Sequence, residues 1–133
     1  MDSIHELINF TKTLKILVVE DNQDSREQFV GMLSNICDNI SSAVDGLDGF
    51  EKFKSEKFDL IISDINMPKM SGIEMIESIR EIDTEISIII VSAHNENVYI
   101  ENTQSLNIED FLFKPIDLEH FLDVMSKIMD KQR

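Results

Sequence analysis

Apolar residues in this chain gather into short continuous runs, and longer stretches of helical spacing separate them. Residues 14–19 are apolar except for Lys15 and end in Val18 and Val19, as suits a strand covered on both faces. Residues 59–63 hold another such run, and 86–91 is the most hydrophobic of all. Residues 40–44 make a short, weaker strand, and 111–113 are the fifth. Between the runs, Phe29, Met32, Leu33 and Ile36 recur at helical spacing, which predicts a helix over 24–37 with cap residues at 22–25. Leu47, Phe50 and Phe53 predict a second helix with that side inward. Gly49 lies inside it at a cost of about 1 kcal/mol relative to alanine, and close packing on a sheet accounts for its presence. After a loop at 67–72, Ile73, Ile76 and Ile79 form the stripe of a third helix over 73–80, with Met75 at its margin. Residues 95–103 make a weak fourth helix, because Val98, Tyr99 and Ile100 are adjacent and form no stripe. Asp117 caps a last helix whose inward stripe is Leu118, Phe121, Leu122, Met125, Ile128 and Met129.

Five strands alternating with five helices specify an α/β fold with helices on both faces of a parallel sheet. Right-handed crossovers favour a flavodoxin-like, doubly wound (βα)5 domain over 14–133 with strand order 2-1-3-4-5. Residues 1–13 are an extension in which Ile4, Leu7 and Ile8 suggest a short amphipathic helix, marginal unless it packs or associates. The carboxyl ends of parallel strands share one edge, where ligands bind as the strand order reverses. Here those ends carry Glu20-Asp21, Asp64, Ser92-Ala93 and Lys114-Pro115. Such a set suits a hard divalent cation and a phosphoryl group. Alone, each has a plainer reading: a helix-start acidic pair, a turn aspartate, a cap serine, a solvated lysine.

Composition narrows the classes. A chain of 133 residues suits one core, and 42% hydrophobic content is too high for disorder. Lys plus Arg is 12 against 26 Asp plus Glu, a formal charge of −14, which disfavours direct nucleic-acid binding. The single cysteine, Cys37, reads as a small buried hydrophobe and fits a reducing cytoplasm. Neither a signal peptide nor an apolar stretch long enough to span a bilayer is present, so no membrane role is expected.

The stretch Asp64-Ile65-Asn66-Met67-Pro68-Lys69-Met70-Ser71-Gly72, with Glu20-Asp21, Ser92-Ala93 and Lys114-Pro115, resembles the receiver domain of two-component response regulators from about Lys15 to Asp130. The resemblance implies that Asp64 accepts a phosphoryl group from a histidine kinase or histidine phosphotransfer protein. It implies Mg²⁺, with Mn²⁺ as an alternative, held by Asp21, Asp64 and the Asn66 backbone carbonyl, with Glu20 acting through water. Lys114 and Ser92 would stabilise the phosphoryl group. Ser92 and Phe111 would form the switch, with phenylalanine where the family more often has tyrosine. The output surface would comprise 95–103, the fifth strand and the last helix. Pro115 would follow a cis peptide bond. His94, two residues after Ser92, would either tune the acyl phosphate's lifetime or be a plain loop residue.

His5 and His120 read as surface residues, so the phosphodonor histidine belongs to a partner. Met32, Met125 and Met129 read as core fillers. A downstream effector protein or an output domain outside this chain is expected, and a homodimer is compatible. The last helix lacks the Arg-rich pattern common where a winged-helix output follows. Other classes stay in play. A receiver-like interaction module that is never phosphorylated would not need the full set of charged residues. An aspartyl-nucleophile phosphohydrolase would usually carry a second aspartate where Asn66 stands. A flavodoxin would need a Ser/Thr/Gly-rich cradle after the first strand. A dinucleotide-binding domain would need G-x-G-x-x-G there.

Overall fold

A computed structural model of the chain describes residues 3–65, 67, 69–92 and 104–132. Strands β1 (Lys15–Val19), β2 (Asn39–Ala43), β3 (Leu60–Asp64), β4 (Ser87–Ser92) and β5 (Asp110–Phe113) form one sheet. Every pairing is parallel and the order is 2-1-3-4-5, the flavodoxin-like arrangement that the alternating pattern predicts. Helices α1 (Ser3–Thr13), α2 (Gln23–Leu33), α3 (Gly46–Ser55), α4 (Gly72–Ile82) and α5 (Leu118–Lys131) surround it. A single 3-10 turn, Gln104–Leu106, precedes β5. The weak helix expected over 95–103 lies outside the described residues.

The continuous apolar runs are explained by burial on both faces. Side chains alternate along a strand. Ile16, Val18, Leu60, Ile62, Ile89, Val91 and Leu112 join the core beneath α2 and α5. Leu17, Val19, Ile61, Ile88 and Ile90 join the core beneath α3 and α4.

Helical stripes are displaced from the sequence expectation at several points. Helix α2 stops at Leu33 and does not reach 37. The Leu33 carbonyl accepts hydrogen bonds from the Ile36 and Cys37 amides, at 2.9 and 2.8 Å, in a turn that still buries both side chains. Leu47, expected inward, is 43% exposed. Its place against the sheet is taken by Gly49, where a Cβ would stand 2.9 Å from Val19 Cγ2 and 2.7 Å from Met75 Sδ. That close approach turns Leu47 outward and buries Met75 completely, while Ile73 is only half-buried. In α5, Val124 is fully buried, whereas Leu118 and Leu122 are half-buried, so the inward line is rotated toward Val124.

Helix α1 packs against α5 and belongs to the same core as α2. Leu7 and Thr11 are buried, and Thr11 Oγ1 donates to the Ile36 carbonyl at 2.6 Å. Among the described residues no helix is long and apolar enough to cross a membrane.

Candidate functional site

Strand order decides what meets at the carboxyl edge. Strand β1 lies between β2 and β3, with Val19 opposite Ser63. The residues just beyond, Glu20 and Asp21, therefore face Asp64. Carboxylate oxygens of all three lie within 4.8 Å of one another. Glu20 and Asp64 are buried and Asp21 is exposed. Lys114 reaches this edge because its amide donates to the Ser92 carbonyl at 2.9 Å, extending the pairing of β5 with β4. The Lys114–Pro115 peptide is cis. Lys114 Nζ is 2.8 Å from Glu20 Oε1 and 3.3 Å from Asp64 Oδ2. Ser92 ends β4 and is fully buried. Phe111 is half-buried against the core beneath α3 and α4, opposite Ile90 in the register. Asn66, Ala93 and His94 lie outside the described residues.

Backbone donors hold the acids in place. The Asn22 amide donates to Glu20 Oε2 at 3.1 Å, and the Ile65 amide donates to Asp64 Oδ1 at 2.8 Å. Asn22 also caps α2 by accepting from the Ser25 amide at 2.9 Å. One lysine does not neutralise three carboxylates. Desolvation raises the Asp21 carboxyl, and the hydrogen bond and charge of Glu20 raise it further. Burial works to lower the Lys114 ammonium, but its hydrogen bond to Glu20 and the Asp64 and Glu20 charges win, and its pKa is raised. A ring of oxygen donors with excess negative charge suits a hard divalent cation. A cavity of about 430 Å³ opens beside the cluster, with Ser25, Phe29, Met32 and Ile116 on its walls.

Three residues support the site through contacts that the sequence reading did not assign to them. Arg26 Nη1 donates to the Glu20 carbonyl at 2.8 Å. A cation in the first turn of a helix opposes the dipole, and that mismatch was the readable signal. A Cβ at Gly46 would stand 2.0 Å from the Met70 carbonyl oxygen, and one at Gly72 2.0 Å from that of Asp64. The Gly46 amide donates to Met70 at 3.1 Å, and the Gly72 amide to Ile65 at 2.8 Å. These glycines seat both ends of the loop after Asp64, through tertiary contacts that no local pattern announces.

Residues 16–126 match the family model of the response regulator receiver domain. The chain is 32% identical over 118 residues to a chemotaxis protein CheY of Treponema pallidum, covering 86% of this chain and 82% of that protein. It is 30% identical over 109 residues to the transcriptional regulatory protein DltR of Streptococcus agalactiae, spanning 82% of itself and 49% of DltR, about half that protein's length. Among solved structures, the N-terminal domain of an uncharacterized protein from Wolinella succinogenes superposes with a TM-score of 0.79 at 36% identity. That likeness covers 90% of this chain and 99% of the other.

Proposed function

This chain belongs to the response regulator receiver domain family of two-component signalling, and we propose that Asp64 is its phosphoacceptor. The observation that carries the reading is the meeting of Glu20, Asp21 and Asp64 within 4.8 Å, with Lys114 bridging Glu20 and Asp64. A carboxylate oxygen of Asp64 attacks phosphorus as the bond to a partner's phosphohistidine nitrogen breaks. The product is an acyl phosphate on Asp64 and a free imidazole on the histidine kinase or phosphotransfer protein. Asp21, Asp64 and the Asn66 carbonyl would hold Mg²⁺, with Glu20 contributing through water. When bound, the ion would offset the excess carboxylate charge and that of the incoming phosphoryl oxygens. Lys114 exchanges its ion pair with Asp64 for one with a phosphoryl oxygen. Ser92 donates its hydroxyl to another, and Phe111 turns inward behind it, altering the surface formed by β5 and α5. The reader of that surface is an effector protein, an output domain or a second copy of the chain.

Native mass spectrometry with Mg²⁺ and beryllofluoride tests this. Wild-type protein gains a beryllofluoride adduct and Asp64→Asn gains none. An adduct on the variant, or none on Mg²⁺-loaded wild type, overturns the phosphoacceptor reading. The second outcome supports a receiver-like interaction module that is not phosphorylated.

A further inference from the structure

Arg80, in the last turns of α4, directs its whole guanidinium at backbone carbonyls. Nε donates to Leu106 at 2.7 Å, Nη1 to Asp83 at 3.1 Å and Nη2 to Asn107 at 2.8 Å. Asn107 adopts a left-handed backbone, with φ of 57°, and its side-chain amide donates to the Thr84 carbonyl at 3.4 Å. The stretch entering β5 is thus stapled to the end of α4 and the turn after it from both sides. Two residues beyond Asn107, the Glu109 amide donates to the Ile88 carbonyl at 2.8 Å, and the register that sets Phe111 opposite Ile90 follows. Leu106, Ile108 and Phe111 all pack on the core beneath α3 and α4. At its other end α4 begins at Gly72, whose amide is bonded to Ile65, the residue after Asp64. Helix α4 therefore joins the loop that follows Asp64 to the entry of β5.

We propose that Arg80 is a positioning residue for the switch: by tying Leu106 and Asn107 to α4, it fixes the seat from which Phe111 responds to modification of Asp64. This deepens the function proposed above and rests on it. The planar fork of arginine satisfies several carbonyls at fixed angles, whereas the ammonium of lysine is a single point on a flexible stem. A lysine here keeps the charge and loses the staple.

The chain has one tyrosine and no tryptophan, so Phe111→Trp introduces a single tryptophan that can be excited selectively. The reporter protein is compared with the same protein carrying Arg80→Lys or Arg80→Gln, in Mg²⁺ and increasing beryllofluoride. Adduct is counted by native mass spectrometry and folded fraction by circular dichroism. The reporter with Arg80 intact changes its emission as adduct forms. In both Arg80 variants, adduct forms over the same concentration range, while the emission change per adduct falls about threefold or more. A merely structural role lowers the melting temperature and leaves the change per adduct intact, and that result overturns the inference. If Arg80→Gln does not fold, Arg80→Lys decides alone. Adduct without any emission change when Arg80 is intact overturns the Phe111 switch and this inference with it. Absence of adduct there overturns the phosphoacceptor reading itself.

Discussion

The two faces of the sheet are built from the same strands and are closed differently. Beneath α2 and α5, Phe29 and Phe121 meet edge to face, with ring centroids 6.2 Å apart, and α1 adds Leu7 to the seal. Beneath α3 and α4 the centre is just as buried, and both faces carry a half-buried apolar rim, with Phe10, Met32 and Ile116 on the first and Phe50, Phe53, Leu106 and Phe111 on the second. There the loops are held by single backbone hydrogen bonds to Gly46 and Gly72 and by Arg80. The faces differ in what closes them: an aromatic pair and an added helix on one, backbone and guanidinium hydrogen bonds on the other.

The largest effect that would sharpen this contrast comes from matched truncations. Phe121→Ala should cost about 3–5 kcal/mol in urea unfolding, the usual penalty for emptying a core aromatic site. Phe111→Ala should cost clearly less, and equal costs would show that half-buried Phe111 is held as firmly as fully buried Phe121. Next comes Gly46→Ala, which forces the Met70 carbonyl aside for about 1–3 kcal/mol and should weaken Mg²⁺ binding, measured by calorimetry. Lost stability with unchanged Mg²⁺ affinity would show that the loop's seat does not govern the site. The smallest effect concerns alkaline pH and the face beneath α2 and α5. Burial raises the Cys37 thiol from 9.0 to about 11. Between those values the unfolded chain has released a proton that the fold retains, so stability falls as pH rises through the window. The raised Lys114 contributes in the same direction. Cys37→Ala should therefore reduce, without abolishing, the alkaline slope of stability, and an unchanged slope would show that the thiol is not held in its neutral form.

Sequence legibility divides differently, between strands and helices. Strands were readable because burial on both faces leaves continuous apolar runs, and parallel pairing then sends Glu20, Asp21, Asp64 and Lys114 to one edge. Helix faces were less readable, because neighbours set the rotation of a helix. Gly49 against Val19 turns Leu47 out and brings Met75 in, and nothing within α3 alone announces it. Val124 was passed over because Leu122 fits an apolar stripe equally well on paper. Arg26, Gly46 and Arg80 act on backbone carbonyls, which every residue possesses, so their partners leave no mark in the sequence.

Helix α1 has a practical consequence. The span recognised as the family runs from 16 to 126, yet Leu7, Thr11 and Leu14 before it and Ile128 and Met129 after it are buried. A chain cut to the recognisable span would bare the apolar underside of α2 and α5 and strip the Ile36 carbonyl of its Thr11 donor. Such a fragment would be sticky, prone to pairing with its own kind through surface that the intact chain never displays. The span that the family model matches is shorter than the span whose side chains share this core.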